Sequence, residues 1–375
     1  LTVKEYGKYS IVVAIVSIII FPSFQWVRVS ILRFYDSKEI DRNELINSAL
    51  VVTRYVALFI SIVLFTYYTF GGFELYDLGY SLLLLCVIIV HGFKLEVSRA
   101  SQNVKEYGFL WAGRSVLFFC FGVLFLKVFS LSGYSLVISL VLSYFFTSLF
   151  FGSKKITRIF FCNSQKEIVR KIKSFGLPIS LGLISEQVIT NIDRIFLEHY
   201  VGLDAVGSYS AGYDLVWQVI LMTSMAVNSA AMPIIIKEFE NERIDSIKKK
   251  IKSIMMMLII GATIIAFGYY FLGEYVISKL LNGEYLETAL KIAPFILMSG
   301  GLFALKITVF DIKFYLLEKT KISGFIALSS MILNVILNLI LIPKFGVLGA
   351  VYSTLVSYFN MAVVSYLLSR RLSLN

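Results

Sequence analysis

The side chains able to do chemistry in this sequence are the polar ones that interrupt long apolar runs. They are densest over residues 176–200, where Glu186, Gln187, Thr190, Asn191, Asp193 and Arg194 follow one another closely. At helical spacing Glu186, Thr190 and Asp193 share a face, and Gln187, Asn191 and Arg194 form the adjacent stripe. The next run, 205–235, carries Asp214, Gln218 and Asn228, and the step from Asp214 to Asn228 is nearly four whole turns. Arg54 and Arg114 stand inside two further runs, about 12 Å and about 10 Å from the inner end of each at the helical rise per residue. An ionisable group in hydrocarbon costs about 2.5–3.5 kcal/mol on insertion scales, so it faces a cavity or a partner. Carboxylates in such places exchange protons or hold cations, and guanidinium groups take phosphate, pyrophosphate or carboxylate in charge-assisted hydrogen bonds. Two bland alternatives stand beside this. Arg54 and Arg114 are long enough to snorkel to the headgroups, and Arg194 can serve as an internal ion pair with Glu186, Asp193 or Asp214.

Covalent and metal chemistry finds less support. No nucleophile has a base beside it, and no His, Cys and carboxylate set has ligand spacing. Cys86 and Cys120 fall in apolar runs, Cys162 lies between two of them, and His91 and His199 stand at run ends. A G-x-x-x-x-G-K-[ST] phosphate loop is absent, so the chain is not its own ATP motor. The expectation is a protein that is not an enzyme and uses no cofactor.

The elements that position these residues follow from composition. Of 375 residues, 58% are hydrophobic and 16% charged, against 45–50% apolar and about 25% charged for soluble domains. The excess falls in blocks of about 20 residues, enough to cross the hydrocarbon as helix. Candidate spans are 9–32, 46–69, 78–98, 107–128, 132–151, 176–200, 205–235, 252–272, 286–307, 320–342 and 346–369. Their continuous Leu, Ile and Phe content excludes a β-barrel, whose strands would alternate. An all-α integral membrane protein with about eleven spans is expected. The chain starts at Leu1 with no basic n-region or cleavage site before the first span, which reads as a truncated start rather than a signal peptide.

The net charge of +11 is topological. Twenty-six Lys and Arg fall in one set of alternate loops and only six in the other, Lys4, Lys8, Lys127, Lys279, Lys291 and Lys344. By the positive-inside rule the chain begins outside and ends inside, and no nucleic-acid partner follows from its basicity. Arg28 and Arg33 fall at the inner interface, within reach of an anionic headgroup.

Two inner connections are long. Residues 152–175 contain an apolar stripe, Ile168, Val169, Ile172 and Phe175, among Lys166, Arg170, Lys171 and Lys173. Such a segment is expected to lie in the headgroup plane as an elbow between two bundles. Residues 237–253 read as a solvated loop with a basic anchor. An internal echo accompanies this division: YGKYS at 6–10 and VGSYS at 206–210, each at the outer end of a span pointing inward. Parallel repeats of this kind are common in transporters, with substrate bound between them. The second copy is preceded by a full span, 176–200, and the first is not, so the echo predicts one missing N-terminal span. Restoring it gives twelve, six in each half, with both ends cytoplasmic. The expected division is 1–151 for the first lobe, 152–175 for the linker and 176–375 for the second lobe. Pro22, Pro178, Pro233, Pro294 and Gly300–Gly301, in or at the ends of spans, fit a bundle that moves.

Several stretches resemble a known family. LTVKEYGKYSIVVAIVSI followed by QWVRVSILRFY resembles the segment after the first span of O-antigen flippases (Wzx) and related polysaccharide exporters. NIDRIFLEHYVGLDAVGSYSAGYDL resembles their seventh and eighth spans, with the D-R pair at Asp193–Arg194 and a G-x-Y-S turn at Gly207–Ser210. EKTKISGFIALSSMILNVILNLILIPKFGVLGAVYSTLVSYF is similar to their last two, with N-x-x-L-N, I-P-K-F-G and G-A in order. The resemblance implies the multidrug/oligosaccharidyl-lipid/polysaccharide exporter fold, two six-helix lobes around a central cavity. It implies translocation of undecaprenyl-pyrophosphate-linked glycan from the cytoplasmic to the periplasmic leaflet of a bacterial inner membrane. The mechanism implied is alternating access, coupled to an ion gradient. Arg54, Arg114, Arg194, Arg28, Arg33, Gln187, Asn191, Gln218 and Asn228 would then meet the pyrophosphate or the sugar. Glu186, Asp193 and Asp214 would be the ion-coupling candidates. Membrane lipid and a polysaccharide polymerase and ligase are the implied partners. A drug or other-lipid exporter of the same fold is the alternative. An integral-membrane glycan polymerase or ligase is disfavoured, because the longest outer loop, about 273–285, is short.

Overall fold

The computed structural model describes residues 2–35, 37, 40–70, 75–128, 134–150, 164–241, 243–317 and 319–372. All regular structure among them is helical. In chain order it comprises α1 (Val3–Phe34), α2 (Arg42–Phe70), α3 (Leu75–Ala100), α4 (Val104–Val123), α5 (Tyr134–Phe150), α6 (Lys166–Tyr200) and α7 (Leu203–Glu240). Then follow α8 (Ile244–Leu280), α9 (Glu284–Leu305), the short α10 (Ile312–Leu316), α11 (Thr320–Phe345) and α12 (Val347–Arg370). Each of the eleven expected spans lies in its own long helix. Seven of these are long and apolar enough to cross a membrane, and α1 joins them as a bent pair, Val3–Ile20 and Ser23–Phe34. α5 is a shorter apolar helix, and α6 and α7 carry the polar residues singled out above. Large apolar side chains such as Leu58, Phe59, Ile62 and Phe65 on α2 and Ile260, Ile264, Phe267 and Phe271 on α8 are exposed. Such faces suit lipid, where exposed apolar side chains carry no hydration cost and a helix leaves no backbone polar group unbonded.

Local chemistry sets several helix ends. Thr2 caps α1 in a capping box: its Oγ1 accepts from the Glu5 N–H at 3.3 Å, and Glu5 Oε2 accepts from the Thr2 N–H at 2.9 Å. Asn103 caps α4 through the Glu106 N–H at 3.3 Å. α11 passes directly into α12 at Gly346, whose φ of +56° suits glycine alone at low cost.

Two compact units divide the chain, Leu1–Gln187 and Val188–Asn375, and the division falls inside α6. In the first, α3 is central, packing on α1, α2, α4 and α5, with α1 against α2 and α4 against α5. At one end Trp26, Val27 and Ile31 of α1 meet Leu45 and Leu50 of α2, Phe93 of α3 and Ile168 and Ile172 of α6. In the second, α9 is central, packing on α7, α8 and α12, with α7 against α8 and α11 against α12. Its α12 presents small residues, Gly349, Ala350, Ser353, Thr354 and Ser357, all buried, which lets helices approach closely without a hydrophobic driving force. The packing order α1–α2–α3–α5–α4 is therefore repeated as α7–α8–α9–α12–α11. The echoed residues occupy matching places, with Gly7 and Ser10 buried in α1 and Gly207 and Ser210 buried in α7.

Two connections differ from expectation. Residues 152–163 of the expected elbow, and with them Cys162, lie outside the described residues, but 166–175 are the first turns of α6 itself. Their apolar stripe is covered by protein, not turned to a membrane surface, since Ile168 and Ile172 complete the cluster just described. Likewise 237–253 is not one loop: α7 runs to Glu240 and α8 starts at Ile244. Ile247 and Ile312 are buried together there, and Ile251 and Ile254 pack against them. In both places the i, i+3/i+4 apolar pattern found a partner surface and extended the helix.

Candidate functional site

Each unit encloses its own set of charged and polar side chains. In the first, Arg28 of α1 pairs with the buried Glu96 of α3 at 3.5 Å, and Arg99 reaches the other Glu96 oxygen at 3.5 Å. Lys94, also buried, donates from Nζ to the Ser148 carbonyl oxygen at 2.6 Å. The His91 Nε2 is 3.1 Å from the Leu110 carbonyl oxygen, a contact that places the ring proton on Nε2, and the ring meets Tyr144 edge-on. Arg114 of α4 donates to the Tyr144 hydroxyl at 3.1 Å and lies over its ring at 5.2 Å. The Arg28 guanidinium lies against Gly92, the neighbour of His91, where an added Cβ would stand 3.3 Å from Nη1, and Lys94 follows His91 by one helical turn. Three cations from α1, α3 and α4 therefore gather around His91 and Tyr144, with Glu96 among them. A small cavity touches Arg28, lined also by Ile20, Phe24, Thr53, Ile88 and Phe93.

This arrangement gathers Arg28 and Arg114 and separates the other two first-unit candidates. Arg33 is exposed in the last turn of α1. Arg54 is half-buried with its guanidinium over Tyr55 at 5.2 Å. Lys94, Glu96 and His91 were not legible as site residues in the sequence, because they fall within ten residues of the helix end at Ala100, where charge ordinarily marks a loop. The one available signal was helical, since His91 and Lys94 stand one turn apart.

In the second unit Asp193 is fully buried on α6. One of its oxygens accepts from the Arg194 N–H at 2.9 Å and the other accepts from the Tyr209 hydroxyl of α7. The Arg194 side chain turns to α7, pairing with Asp214 at 2.6 Å and lying over the Tyr213 ring at 5.8 Å. The guanidinium is covered while the carboxylate is open, with side-chain exposures of 5% and 47%. That asymmetry matters chemically. A reachable carboxylate can be protonated or exchanged for another anion, and either event would release a charge held inside the bundle. Behind the pair, Tyr213 stacks on Trp217, and Trp217 meets Phe303 of α9 and Tyr358 of α12 with centroids 5.4–5.6 Å apart. Thr190 lies 3.4 Å from the Tyr358 hydroxyl. Asn191 is buried, Asn228 is half-buried, and Gln218 is exposed one turn beyond Asp214, while Glu186 and Gln187, the last residues of the first unit, are half-buried. The tyrosines were not legible as site residues, although Tyr209, Tyr213 and Trp217 recur every four residues along one helical face.

Two further polar groups lie in the second unit. Lys306, in a π-helical turn after α9, pairs with Asp311 at 2.8 Å, and Ser323 of α11 donates to the same carboxylate at 2.5 Å. π-turns of this kind occur frequently at functional sites. On α11 the buried Asn338 donates to Asn334 at 3.0 Å. These are the two asparagines of N-x-x-L-N. Among the described residues no group of three or more His, Cys, Asp or Glu is placed to hold a metal ion.

Known proteins share both the sequence pattern and the helical arrangement. The family described as polysaccharide biosynthesis protein matches residues 1–239, and the family described as MatE matches residues 178–340. A capsular polysaccharide biosynthesis protein, CapF, of Staphylococcus aureus is 27% identical over 233 residues, 62% of this chain and 57% of that protein. The chain spans about half the length of the curated relatives it matches. Among solved structures, a multidrug resistance MATE family transporter of the MOP superfamily in its inward-facing conformation superposes with a TM-score of 0.77 at 13% identity. That match covers 99% of this chain and 91% of the transporter. The lipid II flippase MurJ, in an inward closed conformation, gives 0.70 at 12% identity over 99% and 86% of the two chains. With eleven long helices among the described residues and a family match over more than half its length, this chain is a multi-pass membrane protein that shares its fold with the MATE transporter and MurJ and belongs to the polysaccharide biosynthesis protein family.

Proposed function

We propose that the protein translocates an undecaprenyl-pyrophosphate-linked oligosaccharide, an O-antigen or capsule repeat unit, from the cytoplasmic to the periplasmic leaflet of a bacterial inner membrane. The observation that carries this is the set of three cations, Arg28, Lys94 and Arg114, held beside His91 and Tyr144 within one helical bundle. Cations held in that setting suit a substrate with a pyrophosphate head, and the name of the Staphylococcus aureus relative points to capsular polysaccharide. In this reading Arg28, Arg114 and Arg194 meet the pyrophosphate or an anionic sugar, with Arg54 and Arg33 along the approach. Gln187, Asn191, Gln218 and Asn228 offer hydrogen bonds to sugar hydroxyls. Asp193, Asp214 and Glu186 take and release the coupling ion during alternating access, and the Arg194–Asp214 pair opens as they do. Transport is not enzymatic, the product passes to a polymerase and a ligase, and the C-terminus faces the cytoplasm together with the start of α6.

The test is deletion of the gene followed by extraction of undecaprenyl-linked oligosaccharides and treatment of intact spheroplasts with an external glycan-modifying enzyme. Single repeat units protected on the cytoplasmic side, with surface polysaccharide lost, are expected. Units that reach the outer leaflet and stay unpolymerised would instead make the protein a polymerase or ligase. A second reading, an exporter of drugs or another lipid, is favoured by the MatE match over 178–340. It predicts unchanged lipid-linked sugars and altered drug susceptibility in the same strain.

A further inference from the structure

The first half of α6 carries two stripes with different surroundings. Ile168 and Ile172 are buried against α1 and α2, and the Ser30 hydroxyl of α1 donates to the Ile172 carbonyl at 3.2 Å. A Cβ at Gly176 would stand 2.5 Å from the Trp26 carbonyl oxygen, so only glycine permits this approach. The rotation of the helix about its axis is thereby set. Lys166, Arg170, Lys173, Leu177 and Ile184 are all exposed, and at helical pitch they lie within about 40° of a common line turned away from the buried stripe. The three cations extend over about 10 Å of helix, and the apolar pair continues the same line. Among the described residues, no carboxylate forms an ion pair with Lys166, Arg170 or Lys173. A shallow, open hollow lies against Lys166, Val169, Arg170, Lys173, Ser174 and Leu177.

We propose that this stripe is a binding site for an anionic phospholipid. Its phosphate is held by Lys166, Arg170 and Lys173, and an acyl chain runs along Leu177 and Ile184. The inference rests on the cytoplasmic placement of this end of α6 proposed above, where the leaflet carries anionic lipid. A row of cations continued by apolar residues along one axis matches an amphiphile, charged at one end and hydrocarbon at the other. A soluble anion would gain nothing from Leu177 and Ile184. The lipid-linked glycan shares the same head-and-chain plan, but among the described residues the stripe is one exposed helix face with only Ser174 beside the cations to read a sugar, which favours the simpler headgroup.

Native mass spectrometry of the full chain in neutral detergent, with equimolar phosphatidylglycerol and phosphatidylcholine, reads the site without any transport step. Failure of the flippase reading therefore leaves this test intact. The wild type is expected to retain phosphatidylglycerol over phosphatidylcholine by about five-fold or more. The K166Q/R170Q/K173Q variant should fall to near parity. The charge-preserving K166R/R170K/K173R variant should bind as the wild type does. Neutralising three exposed cations of α8 instead, K248Q/K249Q/K252Q, should leave the preference in place. An unchanged preference in the first variant, or an equal loss in the α8 variant, overturns the site. Complete displacement of phosphatidylglycerol by undecaprenyl phosphate at the same concentration overturns the choice of lipid and gives the stripe to the carrier.

Discussion

Arg194 shows how a single charge is accommodated inside a membrane bundle. Its guanidinium is covered, its counter-charge is partly open, and an aromatic face lies beside it. Removing it leaves Asp214 without the cation and removes the positive charge offered to an anionic substrate. Arg194→Ala is expected to abolish glycan translocation while the protein still inserts, and Arg194→Lys to keep part of it. Surface-polysaccharide recovery in the deletion strain measures both, and full activity in the alanine variant would take Arg194 out of the site. The Lys306–Asp311 pair is expected to act on stability instead. Both side chains are largely covered, at 10% and 15% exposure, and breaking one partner of a buried pair costs about 3–5 kcal/mol. Lys306→Met should destabilise by that order, whereas Lys306→Met with Asp311→Leu should recover most of it. A double-mutant cycle of thermal unfolding in detergent reads the coupling.

At the scale of elements, α6 has the most to carry. It joins the two compact units, bears the densest polar face and docks its first turns on α1 through Gly176. Gly176→Ala is expected to cost about 1–3 kcal/mol, because the added methyl meets backbone that cannot yield. Gly261 in α8 is the contrasting case. A Cβ there meets nothing within 4 Å, so Gly261→Ala should be neutral or stabilising by up to about 1 kcal/mol through helix propensity. Melting temperatures of the two variants in one detergent test the pair, and an equal effect would mean that α6 does not depend on this close approach. The start of α8 follows the same logic in milder form. Lys250 reaches Glu238 of α7 at 2.7 Å, and the hydrogen bonds from Lys250 and Ser246 hold the Glu238 carboxyl below its ordinary range.

For the whole molecule, the repeated packing order means that the two units are built on one plan and tolerate different side chains on it. The first gathers cations around a histidine; the second sets a carboxylate and an arginine against tyrosines. The proposed orientation rests on the basic asymmetry of the sequence, twenty-six Lys and Arg assigned to one side against six to the other. Alkaline phosphatase fused after Arg371 should be inactive, and a fluorescent protein at the same position should glow. A fusion in the loop between α8 and α9, at Asn282, should reverse both signals. Activity of the phosphatase at the C-terminus would invert the proposed topology and, with it, the direction of transport.

The sequence by itself determined the helical class, the number of long helices, the basic asymmetry and the candidate polar face of α6. Hydropathy, length and periodicity are properties of one segment at a time, so a single strand of text carries them. It also carried the repeat, because YGKYS and VGSYS keep their places in α1 and α7. Only the tertiary structure decided what each polar group meets. Lys94 and Lys306 count among the twenty-six inner-loop charges in the sequence, and Glu96 is not singled out there, because a residue near a span end is exposed unless a neighbouring helix covers it, and that neighbour is distant in sequence. The choice of Asp214 for Arg194, of Tyr209 for Asp193 and of Glu96 for Arg28 depends on helix rotation and crossing, which period alone leaves open. The same holds for 166–175. Its amphipathic pattern fits a membrane surface and a protein surface equally well, and the partner across Gly176, not the pattern, selected the second.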